Sequence, residues 1–152
     1  RNQIILIDEF IGSGKTILHR LRSTNGWPKT DFTIKFCFLA GMEYAINMIE
    51  DKGYEVFCPL RLKKGISERY EGYIVESMIS KMRELENKLA QKINEHNLST
   101  FSLGYNDTQA LYSLESCFGN TPNSVFPIFW WPRDTNNNRR NTLLTRVERG
   151  LR

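Results

Sequence analysis

Within the first sixty residues, short apolar runs alternate with segments of helical spacing, and this order leaves few folds open. Residues 4–7 are Ile-Ile-Leu-Ile, a continuous run of the kind that fits a central parallel strand buried on both faces. Residues 16–23 read as a helix. Residues 31–39, DFTIKFCFL, are rich in β-branched and aromatic side chains and read as a second strand. In residues 40–53, AGMEYAINMIEDKG, the positions Met42, Ala45, Ile46 and Ile49 recur at helical intervals before Gly53 stops the run. Residues 54–60, YEVFCPL, supply a third strand that Pro59 closes. Strands and helices in this alternation, joined by right-handed crossovers, give an α/β fold with a parallel sheet. Ligands of such sheets gather at the carboxyl ends of the strands.

Beyond residue 60 the patterning changes. Met78, Met82, Leu85, Leu89 and Ile93 recur every three or four residues opposite Lys81, Arg83, Glu84, Glu86, Lys88 and Lys92. This spacing predicts an amphipathic helix over 74–96, with its methionines as core filler. Residues 106–114, NDTQALYSL, begin with capping residue types and predict a shorter helix. NTPN at 120–123 is a turn. SVFPIFWW at 124–131 reads as a strand or buried segment, and Pro127 places it at a sheet edge. In a strand, Trp130 and Trp131 face opposite sides, so one is expected in the core and the other partly exposed. TNNNRRN, residues 135–141, is a polar loop, and no internal repeat is visible.

Composition narrows the classes. A chain of 152 residues with 40% hydrophobic content can bury one ordinary core. No run approaches the ~20 apolar residues that span a bilayer, and the first residues lack the basic-then-apolar order of a secretory signal. A soluble cytoplasmic protein with no membrane partner is therefore expected. Cys37, Cys58 and Cys117 are too few and too widely spaced for a zinc ribbon and read as buried thiols. Residues 133–152 hold six arginines against Asp134 and Glu148, which accounts for the whole net charge of +4. A basic tail can meet nucleic acid, but no aromatic residues interleave with these arginines, so a solvated terminus is favoured. The organisation read from sequence is a domain over 1–132 followed by a basic segment over 133–152.

The chemistry concentrates in residues 4–16, IILIDEFIGSGKT. A triphosphate-binding loop needs Gly, four residues, then Gly-Lys-Ser/Thr. Counting back from Gly14-Lys15-Thr16 puts Glu9 where that first glycine belongs. A carboxylate ~4 Å from a phosphate charge costs roughly 4 kcal/mol at an effective dielectric of 20, and its Cβ obstructs the tight turn. The P-loop NTPase reading is thus the weaker one. Read differently, the same residues are an apolar strand, two acids, two apolar residues and a small-residue loop leading into a helix. Carboxylates only accept hydrogen bonds, so Asp8 and Glu9 suit a sugar diol. Ser13 and Thr16 offer hydroxyls, Gly12 and Gly14 permit close backbone approach, Lys15 adds a charge, and the helix start presents free N–H groups to an anion.

That order resembles the phosphoribosyl pyrophosphate motif of type I phosphoribosyltransferases. The resemblance implies that Asp8 and Glu9 bind the ribose hydroxyls and that Gly12, Ser13, Gly14, Lys15 and Thr16 hold the 5′-phosphate. Residues 102–132, SLGYNDTQALYSLESCFGNTPNSVFPIFWWP, and the closing RNTLLTR at 140–146 are similar to the phosphoribosyltransferase-like domains of bacterial conflict systems. The implied fold is a Rossmann-like parallel sheet of the type I phosphoribosyltransferase kind with added helices. Only three residues precede the first strand, so an incomplete C-terminal portion of such a domain is expected. The implied ligand is a phosphorylated ribose, with Mg²⁺ arriving on that ligand and no metal ligated directly by the protein. The implied setting is antiviral defence with a protein partner; a non-catalytic nucleotide sensor or partner-binding domain is the alternative. No downstream residue stands out as a general base, so catalytic residues are unassigned. His19 is expected to face solvent, His96 to sit near a helix end, and Tyr105, Asn106, Asp107 and Gln109 to form a capping or contact cluster.

Overall fold

The computed structural model describes residues 2–23, 32–113 and 120–147. The chain divides into two compact units, Arg1–Lys63 and Lys64–Arg152.

In the first unit the predicted alternation is present: β1 (Asn2–Ile11), α1 (Lys15–Ser23), β2 (Phe32–Met42), α2 (Glu43–Glu50), β3 (Glu55–Phe57) and β4 (Leu60–Leu62). All pairings are parallel, with β2 central. It pairs with β1 from Asn2↔Phe32 to Ile11↔Gly41, with β3 at Lys35–Cys37 and with β4 at Ala40–Met42. The third strand read from sequence is therefore two short ones. Pairing lapses at Cys58 and Pro59, because proline has no N–H to give the ladder, and resumes at Leu60 instead of ending.

The order β1-β2-β3 steps in one direction across the sheet. Right-handed crossovers that always step the same way put α1 and α2 on one face. Phe36, Phe38 and Ala40 of the sheet, Ile17 and Leu21 of α1, and Ala45, Ile46 and Ile49 of α2 are all buried. The stripe read from sequence, Met42, Ala45, Ile46 and Ile49, is wholly enclosed, and each fully buried isoleucine contributes roughly 1.5–3 kcal/mol. The opposite face is open: Ile7 is 78% and Phe57 66% exposed, beside Ile5 and Leu39, with an ion pair between Lys35 and Glu55 at 2.8 Å. The expectation that residues 4–7 are covered on both faces is corrected, since no crossover in this unit reverses direction.

The second unit contains α3 (Tyr73–Glu86), a hairpin of β5 (Lys92–Ile93) and β6 (His96–Asn97), and single helical turns at Leu98–Thr100 and Pro127–Phe129. Val75, Met78, Ile79 and Met82 of α3 pack on Ile66, Leu103 and Phe126, the core role expected of the methionines. The helix stops at Glu86, ten residues short of the expected end at 96. Past that point the main chain finds partners elsewhere: Ala90 N–H donates to the Arg133 carbonyl at 3.1 Å and Thr135 N–H to the Lys88 carbonyl at 3.2 Å. Asn94, at φ 49°, then turns the hairpin.

Residues 106–113 form no helix, because Asn106, Asp107 and Gln109 have φ of 60°, 54° and 51°, a left-handed geometry that an α-helix excludes. Segment 124–131 is not a regular strand; Val125 bridges Ala110, and Pro127 opens a helical turn. Both tryptophans are buried, each indole N–H donating at 2.9 Å, Trp130 to Val125 and Trp131 to Ala90. The tail, through Val147, is bound into this unit: Arg140 donates to the Trp131 and Ile128 carbonyls, and Arg146 to that of Thr121. Leu114, Cys117, Glu148, Arg149 and Arg152 lie outside the described residues. Among the described residues no helix is long and apolar enough to cross a membrane.

Candidate functional site

The turn from β1 into α1 is built by strand pairing and by glycine. Pairing of β1 with β2 runs to Ile11↔Gly41. A Cβ on Gly41 would lie 2.2 Å from Ile11 Cγ2, so glycine there lets the buried Ile11 side chain lie on the neighbouring strand. Three residues, Gly12, Ser13 and Gly14, then turn the chain. Gly14 has φ of 73°, and a Cβ on it would come 3.0 Å from Met48 Cε; its carbonyl accepts the Leu18 N–H at 3.0 Å, opening α1. Gly12 and Ser13 are half-buried, whereas Lys15 and Thr16 are exposed on the first helical turn. That turn carries no acidic side chain, so its N–H groups and positive dipole end face no carboxylate of their own helix turn. The loop lies at the carboxyl end of β1, where a parallel sheet places its ligands.

Asp8 and Glu9 lie inside β1, not in the loop. Asp8 stands three residues before Ile11, roughly 10 Å along a strand, and adjacent strand residues project to opposite faces. Asp8 is half-buried and Glu9 exposed. One contact draws them together at the backbone: Asp8 Oδ1 accepts the Glu9 N–H at 2.9 Å. Among the described residues β1 pairs only with β2, so its other side is open. The position of Glu9 also weighs against a triphosphate loop. With Glu9 in the strand, three residues separate strand from helix, fewer than the Gly-x-x-x-x-Gly-Lys wrap requires.

Other singled-out residues fall elsewhere. His19 is exposed on α1, as expected. His96 is on the hairpin strand β6, half-buried beside the Phe101 ring, and not at a helix end, because α3 stops earlier. Cys37 and Cys58 are half-buried, so the expectation of buried thiols is corrected, and burial still pushes the Cys58 thiol up. Glu50 receives two bonds from Arg61, at 2.6 and 3.0 Å, which hold its carboxyl below the ordinary range. Within the cluster at 105–109, Asp107 pairs with Lys64 at 2.9 Å and Gln109 is fully buried. Among the described residues no group of three His, Cys, Asp or Glu side chains gathers to hold a metal ion.

Sequence reasoning named Gln109 and Glu86 but missed that both are buried. Neither carries a local signal, since glutamine after Asx residues reads as capping and Glu86 sits in the polar register of its helix. It also read Arg133, Arg139 and Arg140 as part of a charge run and set only Arg146 apart, through the family resemblance, whereas the fold gathers all four.

A family model described as PRTase-CE matches residues 1–146. The chain belongs to this family. PRTase-CE domains are phosphoribosyltransferase-like domains of the conflict-system type, and the Rossmann-like parallel α/β architecture of the first unit agrees with that membership. The PRTase-CE match extends through both compact units and reaches Arg146. Searches of curated proteins and of solved structures return no match.

Proposed function

We propose that this PRTase-CE chain binds a ribose 5-phosphate compound, either phosphoribosyl pyrophosphate or a nucleotide, at the turn from β1 into α1. The observation that carries the reading is the three-residue turn at 12–14, with Gly14 at φ 73° leading directly into a helix. Backbone N–H groups there form a concave anion cradle with the Ser13 and Thr16 hydroxyls beside it, and Lys15 adds positive charge. Asp8 and Glu9 are acceptors for the ribose hydroxyls along the open side of β1. The bond from Glu9 N–H to Asp8 Oδ1 engages one oxygen of that carboxylate and leaves the other as the better diol acceptor. Mg²⁺ enters on the ligand, because a diphosphate supplies the hard oxygen donors this ion prefers.

Work within an antiviral defence system, in the cytoplasm and with a protein partner, belongs to the same proposal and rests on the family. A sensor that binds without turnover is the second reading, favoured by two acids that project to opposite faces of one strand and by no assigned general base.

Titration calorimetry of phosphoribosyl pyrophosphate with Mg²⁺ tests the proposal. Ser13→Ala and Asp8→Asn should each weaken binding by about tenfold, the effect of losing one hydrogen bond to a charged group. Heat of binding from the parent chain that neither substitution changes would refute the assigned site, and no heat at all would refute the ligand class. Pyrophosphate release over long incubation separates an enzyme from a sensor.

A further inference from the structure

Arg133, Arg139, Arg140 and Arg146, with Thr142 and Thr145, line a cavity of 470 Å³ in the second unit. That volume lies within the range of small-molecule sites, roughly 300–1,000 Å³. No carboxylate is among the described residues that line it. Neutral acceptors help to hold three of these guanidinium groups. Arg140 donates to the Trp131 and Ile128 carbonyls at 2.6 and 3.1 Å, Arg133 to the Asn137 carbonyl at 2.9 Å, and Arg146 to that of Thr121. The Arg146 guanidinium also lies 5.2 Å above the Trp130 ring. Carbonyls and ring faces fix a guanidinium without cancelling its charge. Asp134 is the carboxylate that influences Arg140, and its oxygens already accept the N–H groups of Asn136 and Asn138 and the Asn138 amide. Burial accordingly pushes Arg140 below its ordinary value. Pre-fixed arginines converging on one hollow are the chemistry that recognises phosphate groups bidentately.

We infer that this cavity is a second anion site, which takes a compact polyphosphate ligand of nucleoside di- or triphosphate size. It uses none of the residues of the loop at 12–16 and does not depend on the function assigned to that loop. A small ligand fits better than nucleic acid. Strand binding spreads cations along a groove and offers aromatic faces for stacking, whereas these cations converge on a hollow, and Trp130 is 2% exposed beneath Arg146.

Inorganic tripolyphosphate and ATP, each titrated into the full chain, test the inference. Arg139→Glu is the informative variant, because Arg139 is exposed and its reversal adds a carboxylate to the cavity. Both ligands should bind the parent chain, and Arg139→Glu should weaken each at least tenfold while its melting temperature holds. Arg139→Ala should weaken them less, and Lys52→Glu, an equal charge reversal at an exposed lysine of the other unit, should leave tripolyphosphate affinity unchanged. The inference is overturned if neither ligand binds, if Lys15→Glu abolishes binding while Arg139→Glu does not, or if a single-stranded oligonucleotide displaces tripolyphosphate at far lower concentration.

Discussion

Replacing Gln109 with alanine tests whether one buried amide locks the start of the second unit. Its Oε1 accepts the Ile66 and Ser67 N–H groups at 3.1 and 2.9 Å. Its Nε2 donates to Ser67 Oγ at 2.7 Å and to Asp107 Oδ1 at 3.0 Å. The main-chain bonds of residue 109, to the Leu103 carbonyl and from the Gly65 N–H, both 2.8 Å, survive the substitution. What is lost is the acceptor for two N–H groups, of which that of Ile66 is buried. An orphaned buried donor costs about 1–3 kcal/mol; Ser67, half-buried, is reached by water and adds about 1 kcal/mol or less. Lost side-chain packing adds about 1 kcal/mol. The expected total is roughly 3 kcal/mol, or a factor of about 150 in the folding equilibrium. With a urea slope of about 2 kcal/mol/M, the midpoint should fall by about 1.5 M. Trp130 and Trp131, buried in the same unit, supply a fluorescence signal. Gln109→Glu separates the two ends of the amide. It keeps the acceptor but loses both donors and sets a carboxylate against Asp107, so it should destabilise at pH 7 and recover near pH 4. A Gln109→Ala midpoint within about 0.5 M of the parent, equal to about 1 kcal/mol, would refute the lock.

Two further outcomes follow from the same unit. Glu86 is buried, accepting Ser102 Oγ at 2.6 Å and Leu103 N–H at 2.9 Å, and burial pushes its carboxyl up. A folded-state value above the unfolded one contributes stability that is complete below the unfolded value and lost as pH rises through the folded value; urea midpoints from pH 4 to 8 should therefore show Glu86→Gln gaining on the parent as pH rises, and parallel curves would contradict this. Gly104 has φ of 81°, and a Cβ there would lie 2.1 Å from the Ser124 carbonyl oxygen; Gly104→Ala should cost roughly 3 kcal/mol or more through backbone strain and displacement, and a thermal melt within a few degrees of the parent would contradict it.

How much of this was legible depends on where the deciding contacts lie in sequence. Ala45, Ile46 and Ile49, with Met42 just before them, announce α2 because spacing and burial are both local, and Gly12 to Thr16 announce a strand-to-helix turn for the same reason. Leu89 and Ile93 keep helical spacing and are indeed buried, yet they are not helical. Beside Leu89, the backbone of Lys88 and Ala90 bonds to Thr135 and Arg133, more than forty positions away, and Ile93 pairs with His96 in the hairpin; periodicity carries no word of such partners. The apolar run at 4–7 identified a strand but not its open face, because coverage depends on the direction in which crossovers step. The positive φ of Asn106, Asp107 and Gln109 was hidden by residue types that serve equally well as helix caps.

The two proposed anion sites differ in construction, and the difference decides what substitutions can reveal. At 12–16 the groups proposed to meet phosphate are largely backbone N–H groups of a glycine turn, which no side-chain change removes. Ser13→Ala can therefore trim affinity there but not abolish it, and Gly14 cannot be exchanged without strain against Met48. The cavity at 133–147 is built from side-chain charge, so one reversal at Arg139 changes its sign balance by two. It is also assembled by long-range ties, Arg140 to Ile128 and Arg146 to Thr121, and exists only once the second unit has folded. The loop is built within the first unit, from the pairing of β1 with β2, the start of α1 and the close approach of Gly14 to Ala45 and Met48 of α2. A truncated chain that retained phosphate binding would therefore place that binding at the loop, whereas binding that disappeared with unfolding of the second unit would place it among the arginines.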